Sequence, residues 1–187
     1  MTRMKHFLPL ALLLALCLAG CGKQKQAAPA PAQAEAPAED LSKYVPDLAA
    51  GSAAPDFEAP DVLGNNLRLS DMRGNYVVLD FWDSWCKDCR AELPALKQVY
   101  EKYSPKGVVF LGVSFDTELQ ALQDYSREQE IPWKNVCNLI KMKENPISAA
   151  YGLHWIPTMF LISPEGNVLG YAFHADDLDA LMTASEI

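Results

Sequence analysis

The chain is poor in cysteine, with 5 among its 187 residues, too few to staple a small disulfide scaffold. It has no excess of positive charge. The formal net charge is −8, and such an acidic balance argues against nucleic acid as a partner and against binding anionic lipid by charge alone. The apolar run from Phe7 to Leu18 is too short to cross a bilayer comfortably. Zinc needs about four ligands, and apart from Cys86 and Cys89 the candidates are Cys137, His154 and His174, with no second close pair. Haem attachment needs a histidine after the second cysteine, and Arg90 stands there.

What remains is a pair of thiols two residues apart, Cys86-Lys87-Asp88-Cys89. A bridge across so short a gap closes almost no loop and contributes little stability, so a purely structural disulfide is the weaker reading. The pair follows the apolar run Val77-Val78-Leu79-Asp80-Phe81-Trp82 and precedes a helical stripe of Leu93, Leu96, Tyr100 and Tyr103. It therefore lies where a buried strand hands over to the first turn of a helix. Free backbone N–H groups and the helix macrodipole favour a thiolate there. Cys86 is expected to be the exposed nucleophile, and Cys89, one turn in, to resolve a mixed disulfide. The spacing points to thiol–disulfide exchange. In the intervening dipeptide Lys87 favours the thiolate and Asp88 opposes it.

Asp80 is the only charge in its apolar run. Burial would raise its pKa and make it a base for Cys89; the alternative is an edge position in water. Glu92, three residues after Cys89, shares its side of the helix, either as a second acid–base group or as a first-turn glutamate serving the dipole. Trp85 and Trp155 read as apolar walls of the site or as core aromatics. Cys137 reads as a small buried residue, the alternative being a regulatory third thiol.

In chain order, Met1 to Gly20 has a basic start and an apolar stretch, as in a signal peptide. Leu18-Ala19-Gly20-Cys21 resembles the bacterial lipobox, which would make Cys21 a lipid attachment site. Residues 21–50 read as lipid anchor and disordered Ala/Pro-rich linker; about 25 such residues at ~3.1 Å each reach ~75 Å. The folded domain is expected over 51–187. Gly64-Asn65-Asn66 marks a turn between Val62-Leu63 and Leu67-Arg68-Leu69, giving an N-terminal β-hairpin. Pro94 falls inside the helix after the thiols and should kink it. A strand is expected over Val108–Phe115. Thr117-Glu118-Leu119-Gln120 fits a capping box opening a helix to about Gln129. A short strand at Asn135–Cys137 and a short helix at Ile147–Tyr151 follow. Ser163-Pro164-Glu165-Gly166-Asn167 joins two strands as a hairpin, and a last helix starts near Asp176. This order implies an α/β fold, a mixed central sheet with helices on both faces.

Leu79-Asp80-Phe81-Trp82-Asp83-Ser84-Trp85-Cys86-Lys87-Asp88-Cys89 resembles a thioredoxin active-site segment. Pro94 falls at the helix-kinking proline of that family, and Trp155-Ile156-Pro157-Thr158 resembles its cis-proline loop. The hairpin, the stretch at 130–150 and the lipoprotein-like start resemble the TlpA/ResA branch of thiol-disulfide oxidoreductases. The resemblance implies a thioredoxin-like fold over about 51–187. It places Asp80 at the buried acid of thioredoxins and Glu92 at a glutamate near the cysteines of ResA-like proteins. It makes Pro157 cis, with Ile156 free to pair with a substrate segment. It implies protein or peptide disulfide substrates such as apocytochrome c, re-reduction by a membrane electron donor, a monomer lipid-anchored in the cell envelope, and no cofactor or metal beyond the Cys86–Cys89 dithiol. Two other readings compete. Peroxiredoxins share this fold but need Pro-x-x-x-Thr-x-x-Cys, and Leu79 and Asp83 stand at those positions. A non-catalytic binding module would not need an intact cysteine pair.

Overall fold

The computed structural model describes residues 40–187. The expected signal peptide, Cys21 and the expected linker up to residue 39 lie outside the described residues. Five strands form the main sheet: β3 Val77–Trp82, β4 Val109–Ser114, β5 Lys134–Cys137, β6 Thr158–Ile162 and β7 Val168–Ala172. Their order is β5-β4-β3-β6-β7. β3 runs parallel to β4 and β4 to β5, whereas β6 is antiparallel to both β3 and β7. β3 is central and buried at every position, as its unbroken apolar run requires of a strand covered on both faces.

Alternation along β3 sends Val78 and Trp82 to one face and Val77, Leu79 and Phe81 to the other. The first face packs against α1 Lys87–Tyr103, α2 Leu119–Glu128 and α4 Ala175–Ala184 through Leu93, Leu96, Leu122, Tyr125, Leu178 and Met182. The second is covered by α3 Pro146–Tyr151, through Ile147 and Tyr151, and by residues from the N-terminal hairpin. α1 runs on through Pro94. Gly112 of β4 is a close approach: a Cβ there would lie 1.9 Å from Asn135 Oδ1 and 2.8 Å from Trp82 Nε1, two atoms that hydrogen-bond to each other at 3.0 Å.

Two expectations need correction. The first hairpin strand is β1 Glu58–Pro60, paired with β2 Asn66–Arg68; Val62 and Leu63 lie in the connection. Asp61 makes them a loop, because its Oδ1 accepts the N–H groups of Leu63 and Asn65, each at 2.8 Å, and Leu63 is left 82% exposed. The capping box at Thr117 does not form. Glu118 is the N-cap and makes no side-chain bond, and Gln120 donates to Asp124 instead. The compact unit also takes in residues 40–50, ahead of the expected start of the domain at 51. Leu41–Tyr44 form a 3₁₀ turn, Pro46 is buried, and Asp47 N–H donates to Gly152 C=O at 3.1 Å. The Asp47–Gly152 bond and the packing of Leu48 on the core, which a compositional reading of an Ala/Pro-rich stretch cannot foresee, hold this end of the expected linker down.

Candidate active site

β3 ends at Trp82, and the chain turns through Asp83-Ser84-Trp85 into α1. Cys86 is the N-cap of α1, and its Sγ accepts the Cys89 N–H at 3.0 Å. A sulfur in that place satisfies a helix donor that would otherwise lack a partner, and the same donor and the helix dipole would hold a thiolate after reduction. Cys86 and Cys89 are joined in a disulfide. Cys86 is half-buried, facing an open groove of about 570 Å³, while Cys89 is buried behind it. An attacking partner can therefore approach Cys86 and not Cys89.

Ile156–Pro157 is a cis peptide bond, and the Ile156 carbonyl oxygen lies 3.7 Å from Cys86 Sγ. Trp155 and Ile156 line the groove together with Trp85, Asp83, Asp88, Met142, Lys143 and His154. Trp85 is 74% exposed, so it is a groove residue rather than a core aromatic. Pro157 sits on the inner side, lining a small cleft with Asp80, Cys89 and Glu92.

Asp80 is 5% exposed, and no hydrogen bond to its carboxylate occurs among the described residues. Burial alone pushes its pKa up to about 7. The cleft it shares with Cys89 has about 10 Å³ of room, roughly one water's worth. Asp80 and Cys89 thus line one narrow cleft, the carboxyl half-ionised near neutrality and the sulfur shielded from solvent.

Glu92 is brought to the same cleft but is held from behind. Its Oε1 lies 2.9 Å from His174 Nδ1, and its Oε2 accepts the Ala175 N–H at 2.9 Å. It thereby ties α1 to the N-terminus of α4, where a carboxylate also meets the favourable end of the helix dipole.

Local sequence does not mark the network behind the active-site turn. Asp116 is 1% exposed and accepts Ser84 Oγ at 2.6 Å, Ser84 N–H at 3.1 Å and Ser114 Oγ at 2.7 Å. It fixes the turn that carries Cys86 to the end of β4. Burial, and next the charge of Asp116, push the Asp83 carboxyl up, against the pull of the Trp85 and Cys86 N–H groups. Cys137 is buried and free, its thiol donating to the Asp116 carbonyl at 3.1 Å. Burial pushes that thiol up as well, which makes it a packing residue. The only available signal was the abundance of Ser and Asp just past two apolar strands, and that is too common to single these residues out.

A thioredoxin-type mixed sheet, a cysteine pair at the N-cap of the first helix after the central strand and a cis-proline loop facing the outer sulfur together define a thiol-disulfide oxidoreductase. Residues 50–170 match the AhpC/TSA family. The chain belongs to that family, within its TlpA/ResA-like thiol-disulfide oxidoreductases. It is 34% identical over 121 residues to the thiol-disulfide oxidoreductase ResA of Geobacillus kaustophilus, a match covering 65% of this chain and 67% of the relative. Among solved structures, it is similar to the thioredoxin domain of a thiol-disulfide oxidoreductase from Bacteroides vulgatus, with 32% identity, a TM-score of 0.67, and coverage of 74% of this chain and 98% of that one. A thiol-disulfide oxidoreductase from Bacteroides fragilis gives 27% identity and a TM-score of 0.65, covering 72% of this chain and 99% of the other. Among the described residues no helix is long and apolar enough to cross a membrane.

Proposed function

We propose that this protein reduces disulfides of other proteins outside the cytoplasm while tethered to a bacterial membrane by a lipid on Cys21. The observation that carries the reductive mechanism is the pairing of an accessible sulfur at a helix N-cap with a buried sulfur beside an unpartnered carboxylate. In the reduced protein the Cys86 thiolate attacks a substrate cystine. A Cys86–substrate bond forms, the substrate S–S bond breaks, and the departing sulfur takes a proton. Asp80 accepts the Cys89 proton, and the Cys89 thiolate attacks Cys86 Sγ. The Cys86–substrate bond breaks, and the second substrate sulfur leaves as a thiolate and takes a proton in turn. The substrate gains two electrons, and the chain is left with its Cys86–Cys89 disulfide.

Return to the dithiol requires an external thiol reductant, for which a membrane electron donor is the natural source. Resemblance to the ResA branch makes apocytochrome c a reasonable substrate. No cofactor beyond the dithiol enters this cycle, and a monomer suffices for it.

Pre-reduced protein should reduce insulin and leave hydrogen peroxide untouched. Peroxide consumption without insulin reduction would replace this reading with a thiol peroxidase, and neither activity would leave a binding module. Cys89→Ser should accumulate a mixed disulfide through Cys86 on non-reducing gels, and Cys86→Ser should abolish exchange. Metabolic labelling with palmitate should mark the native chain and not Cys21→Ser; equal labelling of both would remove the anchor from the proposal.

A further inference from the structure

Tyr44 lies in sequence before the segment that matches the family, which begins at residue 50, yet its ring reaches the active-site groove. It stacks on Trp155 with ring centroids 4.3 Å apart and planes inclined by 25°. Both rings line the groove that holds Cys86, and Trp155 directly precedes Ile156, whose carbonyl oxygen touches the Cys86 sulfur.

The segment that delivers Tyr44 is seated by several independent contacts. Asp47 donates to the Gly152 carbonyl, and its Oδ1 lies 3.2 Å from His154 Nε2. Gly152 sits at φ +61°, and a Cβ there would come within 2.5 Å of Asp47 Cβ and 2.7 Å of Asp47 N. The end of α3 thus has the one residue that lets this arm approach. Lys43 Nζ lies 4.8 Å over the Tyr44 ring, adding a cation–π contact to the stack.

Trp85, exposed, lines the same groove. Large aromatics gathered round a nucleophile present much contact area at little cost in side-chain freedom. From this placement we infer that Tyr44, together with Trp155, selects substrates, forming an aromatic wall for an aromatic side chain beside the attacked cysteine of an extended polypeptide. The inference rests on the protein-disulfide reductase reading and names the substrate class within it. An aromatic pair alters an equilibrium constant by roughly two- to tenfold.

The test uses the pre-reduced full chain and three synthetic peptide disulfides that differ only in the residue flanking the cysteine: Phe, Gly or Lys. Half-saturating concentrations are read under single-turnover conditions. The native chain should half-saturate at about three- to tenfold lower concentration of the Phe peptide than of the Gly peptide. Tyr44→Ala should bring the two within twofold, and Tyr44→Phe should keep the preference, with thermal melts showing that each variant is folded.

No Phe preference in the native chain, or a preference that survives Tyr44→Ala, overturns the inference. So does a preference for the Lys peptide that survives Tyr44→Ala, which would assign selection to Asp83 and Asp88. If the native chain reduces none of the three, the reductase reading fails and takes this one with it. Reduction without Phe selectivity sinks only the role of Tyr44.

Discussion

Asp80 and Asp116 are both less than a tenth exposed, one within β3 and the other just beyond the end of neighbouring β4. Asp116 is met by three donors from Ser84 and Ser114. Asp80 has no hydrogen-bond partner among the described residues and shares a cleft with Cys89. A buried carboxylate that is well supplied with donors is a structural anchor, and one that is not becomes a group that changes charge near pH 7. Glu92 is the middle case, about a quarter exposed at the side chain with both oxygens engaged. The site therefore divides its acids by their hydrogen bonds. Asp116 holds the turn under Cys86, Glu92 joins two helices, and Asp80, without a donor among the described residues, is the acid that suits the proton transfer proposed for it.

The sharpest challenge to that division is Asp116→Ala. It strands two serine hydroxyls and a backbone N–H, and should cost about 3–5 kcal/mol of stability, read from urea denaturation of the oxidised protein. A loss under 1 kcal/mol would mean that Asp116 is no anchor.

Asp80→Asn should move stability the other way. The folded-state pKa of Asp80, about 7, lies above its ordinary value of 3.8. The native state thus binds this proton more tightly than the unfolded state does. Stability associated with Asp80 is highest below about pH 4, falls as pH rises to about 7 and is level beyond. Asparagine should therefore leave stability unchanged at pH 4 and raise it by roughly 2–4 kcal/mol at pH 8.

The same variant should slow release of substrate from the mixed disulfide about 100-fold. In the native chain that rate should climb with pH to an inflection near 7, as Asp80 becomes a base, and asparagine should erase the inflection. Stopped-flow measurement across pH 5–9 reads both effects. The smallest expected effect is that of Glu92→Gln, which should cost about 1 kcal/mol and leave the inflection in place. If Glu92→Gln removed it while Asp80→Asn kept it, the two acids would have to exchange roles.

The active-site turn was legible because its signals are local. A six-residue apolar run, a two-residue gap between thiols and a helical stripe each have a period that a single stretch of chain displays. The buried acid was legible because one charge in an apolar run has few places to go. The N-terminal hairpin was read in kind but not in register. Val62 and Leu63 look like strand, and only the Asp61 carboxylate, folding back on Leu63 and Asn65, makes them a turn. Thr117 had the letters of a cap, but Glu118 became the N-cap and Gln120 turned to Asp124. Residues 40–50 read as linker on composition, yet Tyr44 and Asp47 found partners a hundred residues further on.

By itself, the sequence determined the chemistry: two thiols at the mouth of a helix, a proline loop to face them and a lone acid in a buried strand. These follow from covalent spacing and from the cost of burying charge, which no later folding alters. Only the tertiary structure decided how the remaining polar groups divide their work. Whether a carboxylate anchors, bridges or carries a proton depends on which donors lie within about 3 Å of it, and those donors come from strands, helices and an N-terminal arm that are distant in the chain.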